Sequence, residues 1–146
     1  MENRIPDKIS RFIGEHHVLT LATCCNNLPW TANCFYIWLE EEQAFVFTSD
    51  DDTRHISDSI KNDFVAGSVV LETRHVGKIQ GLQFQGQLEK AKGDMYKTCR
   101  KAYLKAYPYA ILKKTDLWLL RVRFMKLTDN RMGFGKKLYW GEADVC

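Results

Sequence analysis

The stretch from Pro29 to His55 constrains this chain most. It reads PWTANCFYIW, then LEEEQ, then AFVFTSDDDTRH. Two runs rich in aromatic and β-branched residues flank a solvated turn at Glu40–Gln43, which predicts a pair of strands. Along the first run, Trp30, Ala32, Cys34, Tyr36 and Trp38 alternate with Thr31, Asn33, Phe35, Ile37 and Leu39. Neither set is cleanly polar, so both faces are predicted to be covered, with Asn33 a buried amide in need of partners. The second run ends in two hydroxyls, Thr48 and Ser49. After Asp50, Asp51 and Asp52 the pattern predicts a short helix from Thr53 to Lys61, with Ile56 and Ile60 as its buried stripe.

That helix opens on Thr53, Arg54 and His55. Cations in a first turn oppose the helix dipole, and an anion at that end removes the conflict. A hydroxyl-bearing strand end, a helix N-terminus and an arginine together make a phosphate site. The three aspartates must then point outward. An aromatic strand beside such a site suits a flat ring, so the residues predict a phosphate-plus-ring ligand, a description that flavin mononucleotide (FMN) fits.

The remaining elements are read around this site. Ile5, Ile9, Phe12 and Ile13 mark an amphipathic helix over Pro6–Ile13, stopped at Gly14. His16 and His17 precede a central strand, Val18–Thr23. Phe64–Glu72 reads as a buried strand. Lys78–Lys90 alternates clearly: Leu82, Phe84 and Leu88 face the core, while Gln83, Gln85, Gln87 and Glu89 face the other way, and Gly81 and Gly86 supply bends. Asp94 opens a helix ended by Tyr107-Pro108. Asp116–Thr128 is a long strand and Leu138–Trp140 a short one. Hairpins dominate, which favours a Greek-key or split barrel with peripheral helices over a doubly wound fold.

Composition sets bounds. The chain has 146 residues, enough for one domain over residues 1–146, and its net charge of +3 is too weak to argue for nucleic acid. Acidic runs at 40–42 and 50–52 argue further against it. Five cysteines without metal-ligand spacing predict reduced thiols, and the absence of a long apolar run or apolar leader predicts a cytoplasmic protein with no membrane or metal role.

These stretches resemble the FMN-binding split barrels related to pyridoxamine 5'-phosphate oxidase, and among them the small YhbP-like group. The likeness is carried by Ala32–Tyr36, Thr53-Arg54-His55, Val65-Ala66-Gly67, Gly81–Gly86, Arg100–Tyr103, and Leu127–Asn130 with Gly133–Lys137 and Trp140. It implies a mainly β, six-stranded antiparallel split barrel and a homodimer with two FMN sites in its interface. The ring would lie along Thr31, Ala32, Asn33 and Cys34. The phosphate contacts map onto Thr48, Ser49, Arg54 and His55, and Gln80 and Gln83 would reach in from the partner. Thr31-Ala32-Asn33 stands where the true oxidases carry a basic residue, and no C-terminal Arg-x-His pattern is visible, which argues against pyridoxamine phosphate as substrate. The function expected is that of an FMN-dependent oxidoreductase or flavin reductase on an unknown small molecule. The alternative is a non-catalytic flavin or haem binder, with an axial ligand from His16, His17, His55 or His75.

Overall fold

The computed structural model describes residues 3–146, apart from the side chains of 111 and 112. Its elements in chain order are α1 (Asp7–Glu15), β1 (Val18–Cys25), β2 (Leu28–Phe35), β3 (Ile37–Leu39), β4 (Ala44–Thr48), α2 (Arg54–Lys61), β5 (Phe64–Val70), β6 (Gln80–Lys90), α3 (Gly93–Ala106), β7 (Leu117–Asp129) and β8 (Lys137–Gly141). All strand pairs are antiparallel, in the order β2-β1-β5-β6-β7-β4-β3, with β8 also on β7.

The two end strands of that sheet, β2 and β3, are consecutive in sequence and separated only by Tyr36. One chain segment therefore pairs with β1 through its first half and with β4 through its second. The sheet has to curl round on itself, and the break at Tyr36 is the split in the barrel. Counted by backbone path, β2 and β3 form one bent strand, which gives the barrel seven strands with β8 included, against the six expected. Counted by hydrogen bonding, it has seven, and β8 makes eight. Tyr36 is fixed at the break: its N–H donates to the His17 carbonyl (2.9 Å), its hydroxyl donates to the Ile13 carbonyl (2.7 Å), and its own carbonyl accepts from the Tyr107 hydroxyl (2.7 Å).

The inward face of the barrel is apolar. Leu19, Leu21, Phe45, Phe47, Leu82, Phe84, Leu120 and Met125 are fully buried there, and α1 closes the same core with Ile9, Phe12 and Ile13. A second cluster forms where α3 lays Cys99 and Tyr103 against the opposite face of β4 and β7, on Val46 and Leu119. This explains why the start of β7 is buried on both faces. The alternation along β6 is as expected, with a bulge between Gln85 and Gly86. A Cβ at Gly86 would run into the Arg121 carbonyl, so glycine is required there by close approach of the neighbouring strand.

Three expectations are corrected. Gly14 does not stop α1, which continues to Glu15; the His16 ring then meets the Phe12 carbonyl at 2.8 Å and ends the helix. Ile60 is 66% exposed and Ser59 is buried in its place, because α2 is short and lies with Ile56 and Ser59 toward β1. Asn33 is exposed, not buried, and accepts from the Thr20 hydroxyl at 2.9 Å. In the single chain, one whole face of β2 is open. No described helix is long and apolar enough to cross a membrane.

Candidate functional site

The hydroxyl end of β4 and the start of α2 meet as the sequence suggested. Ser49 Oγ lies 2.7 Å from His55 Nε2, and Thr53 Oγ1 lies 3.5 Å from the same nitrogen. The Cys34 thiol faces Ser49, bringing β2 into the cluster. The Ser49 carbonyl accepts from the Trp118 indole at 3.1 Å, which fixes the strand end. Thr48 stands next to it and faces Tyr103, whose hydroxyl donates to the Phe35 carbonyl at 3.4 Å. Ser49, Cys34 and His55 thus form one group, with Thr48 beside it turned toward Tyr103.

The N-terminus of α2 is open. Thr53 spends its hydroxyl on the Asp50 carbonyl (2.8 Å) instead of capping the helix. The Ser57 amide is the first to find a helical acceptor, so the amides of Arg54, His55 and Ile56 precede the ladder without a cap. Two of the three neighbouring acids are held by lysines. Asp50 pairs with Lys113 at 2.8 Å and Asp51 with Lys90 at 3.5 Å.

Arg54 resolves its conflict with the helix dipole in a way the sequence did not disclose. Its guanidinium lies over the Trp30 ring, 4.2 Å from the centroid, and its Nε is 3.7 Å from Asp58. Asp58 in turn accepts from the Thr23 hydroxyl at 3.2 Å. The signal was present as an acid four residues after the arginine on one helix face.

Two ionisable groups in the cluster are shifted. Burial pushes the Cys34 thiol up to about 11, against the opposing effect of the Ser49 hydroxyl, so it is a neutral thiol and a poor nucleophile at neutral pH. Burial also lowers His55 below its ordinary value, with Asp58 opposing, so the imidazole is neutral at pH 7. A neutral imidazole held by Ser49 can donate one hydrogen bond to an anion.

The four residues of the β2 stretch divide between two faces. Ala32 and Cys34 face α2 and Ser49; Thr31 and Asn33 face outward with Phe35. Among the described residues the outer edge of β2 carries no partner strand, since β2 pairs there with β1 alone. Its unpaired N–H and C=O groups are available to the polar edge of a ring.

Gln80 and Gln83 are not beside this cluster within one chain. Gln83 is exposed on the outer face, in the cross-strand row Asn33–Thr20–Ser68–Gln83. Three strand spacings put it roughly 14 Å from Asn33. Gln80, three residues earlier, points to the opposite face and is buried, with its side-chain oxygen accepting from Arg131 at 2.9 Å. It lies by Asp129 at the far end of β7, while Ser49 lies by Asp116 at the near end. That separation is on the order of 40 Å of extended strand. Of the four histidines, His16 and His55 are engaged as described. His17 is exposed and stacks on Phe35 at 6.0 Å, and His75 is exposed.

No family model matches the chain. Among proteins of known sequence, it is 39% identical over 132 residues to a UPF0306 protein of Photorhabdus laumondii, covering 90% of this chain and 92% of that one. Among solved structures, a haem-binding protein from Mycobacterium smegmatis superposes with a TM-score of 0.76 at 20% identity, over 94% of this chain and 59% of that longer one. An FAD-binding protein from Mesorhizobium loti superposes with a TM-score of 0.69 at 11% identity, over 84% and 94%. At these identities the structural matches establish a shared split-barrel fold.

Proposed function

The chain belongs to the UPF0306 family, and from that premise we propose that it is an FMN-binding protein of the YhbP-like kind, acting as a flavin-dependent oxidoreductase on a substrate still to be found. The observation that carries this reading is the uncapped start of α2, bracketed by the Ser49–His55 pair and by Arg54, directly beside the free edge of β2. The phosphate would take the open amides, the one hydrogen that the bonded Ser49–His55 pair can offer, and Arg54 after it leaves Asp58. The ring would lie along Thr31–Cys34, its polar edge on the unpaired backbone. When bound, the flavin supplies the redox chemistry; this chain's residues bind and orient it. Cys34, as a neutral thiol, contributes packing and no proton.

The open outer face supports a homodimer. Val18, Phe35, Phe64 and Val70 are exposed on it, around a flat row of small and amide side chains. A two-fold partner packed there would bring its Gln83 toward Asn33 and cover the site.

A second reading is haem. The Mycobacterium smegmatis neighbour bears that description, and among the described residues His17 has a ring exposed on the open face and engaged by no hydrogen bond. Titration of the purified chain with FMN and with haem separates the two. Saturable quenching of flavin fluorescence, weakened by Arg54→Ala through loss of about 1.5–3 kcal/mol, is the outcome expected for FMN. A Soret band lost in His17→Ala supports haem. A protein that binds no FMN at micromolar concentration refutes the first reading.

A further inference from the structure

At the far end of β7 the structure holds a second concavity that the flavin reading does not use. Lys8, Arg11, Phe12 and Glu15 share one face of α1 by their spacing, and that face looks onto the turn after β7 across a cleft of about 300 Å³. The volume is at the lower end of what small-molecule sites require. Phe12, Leu127 and Met132 supply apolar lining; Lys8, Arg11 and Gln80 supply the donors.

The donors are built in place. Asp129 is buried and holds Arg131 through its amide (2.9 Å), its Nε (3.1 Å) and its Nη2 (2.9 Å). The same Nη2 donates to Gln80 Oε1 at 2.9 Å. A guanidinium cannot accept, so this bond fixes which end of the amide is oxygen. Gln80 is 7% exposed, and its amide nitrogen, with two hydrogens, finds no partner among the described residues while lining the cleft. That nitrogen opens onto the solvent of the cleft, where its hydrogens are free to meet a ligand atom. Among the described residues neither Lys8 nor Arg11 makes an ion pair; Lys8 Nζ meets only the Met132 sulfur, at 2.9 Å, a weak acceptor. Asp129 is neutralised by Arg131. Glu15 faces Arg131 as well, and is the one acid of the lining without a bonded cation. The turn itself is rigid, since Asn130 bonds the Val76 carbonyl, the Ile79 carbonyl and the Gly135 amide.

We propose that this cleft binds a small organic carboxylate, its oxygens on Gln80 Nε2, Lys8 and Arg11, its apolar body against Phe12, Leu127 and Met132. It is a site separate from the Ser49–His55 cluster, occupied independently of FMN. Benzoate is the probe, followed by calorimetry and by ¹H–¹⁵N spectra of the whole chain, with acetate and inorganic phosphate as comparisons. Benzoate is expected to bind saturably and more tightly than acetate or phosphate. Lys8→Ala combined with Arg11→Ala, and separately Gln80→Glu, which keeps the acceptor for Arg131, are expected to weaken it at least ~10-fold, about 1.4 kcal/mol, with unchanged melting. Saturating FMN is expected to leave benzoate affinity unchanged. Absence of saturable binding, binding that survives both variants, equal affinity for phosphate, or competition by FMN each overturns the proposal. Loss of FMN binding with benzoate binding intact would refute the flavin reading alone.

Discussion

Replacing Gly67 by alanine tests how the barrel is closed, because the same substitution at Gly14 has the opposite sign. Gly67 lies on the inward face of β5, opposite Leu21 on β1 and Phe84 on β6. A Cβ built there comes within 2.6 Å of the Thr20 carbonyl oxygen and 2.6 Å of the Phe84 ring. The carbonyl belongs to the β1 backbone. The ring is buried and packs on Phe45 with centroids 4.5 Å apart, so it has no free direction to move. Overpacking of this kind costs typically 1–3 kcal/mol, and two immovable neighbours put Gly67→Ala at the upper end, about 2–3 kcal/mol. For a chain of this length that is a fall in melting temperature of roughly 5–10 °C. Gly14 is exposed in the last turn of α1, and among the described residues nothing lies within 4 Å of its Cβ position. Gly14→Ala removes a glycine from the last turn of a helix and is expected to stabilise by up to about 0.5 kcal/mol, a rise of a degree or two. Calorimetric melting of both variants beside the parent decides it. A Gly67→Ala chain that melts within about a degree of the parent would show that β5 and β6 are not packed this closely.

Asp58→Asn should free Arg54 from a part-buried i,i+4 ion pair worth about 0.3–0.5 kcal/mol and tighten FMN about twofold by fluorescence titration; weaker binding would show that Asp58 supports the site. His55 has a folded-state pKa below its unfolded value, so its neutral form contributes stability in full above pH 6.5, and this is lost as pH falls through the lower folded value. Urea midpoints between pH 7.5 and 5.5 are expected to drop for the parent and to stay flatter for His55→Gln; parallel curves would remove His55 as the cause. Ser68→Arg places a charge at the centre of the outer row and is expected to turn a dimer into a monomer in light scattering; a parent chain that is already monomeric at micromolar concentration would refute the proposed interface.

Much of this was legible in the residues. The alternation Leu82/Phe84/Leu88 against Gln83/Gln85/Gln87 fixes one face of β6 because the strand period admits no other assignment. The meeting of Ser49 with His55 followed from adjacency, since only a tight turn separates β4 from α2. The hidden parts depend on contacts distant in sequence. Ile60 has the spacing of a core residue, but α2 presents Ser59 to β1 instead. Asn33 looked covered because its strand is apolar on both sides, and the open face shows only once β1, β5 and β6 are laid beside it. Gln80 and Gln83 looked like a pair, yet an odd spacing in a strand sends them to opposite faces. The site at Gln80 is assembled from α1, β6 and the turn after β7, which no single stretch of sequence brings together.

The double edge of β7 bears on how the chain reaches this structure. Along one side β7 runs beside β6; along the other it holds β4 first and β8 after it. The β1–β2 and β3–β4 hairpins form from neighbouring residues, but the second side of β4 waits for Leu117–Arg121, about seventy residues later. At ribosomal speeds of about 5–20 residues per second that is roughly 4–14 s of synthesis. For that interval Ala44–Thr48, five uncharged residues of high β propensity, stands with a bare hydrogen-bonding edge. The acids on either side, Glu40–Glu42 and Asp50–Asp52, then act as gatekeepers, repelling like segments from other nascent chains until β7 arrives.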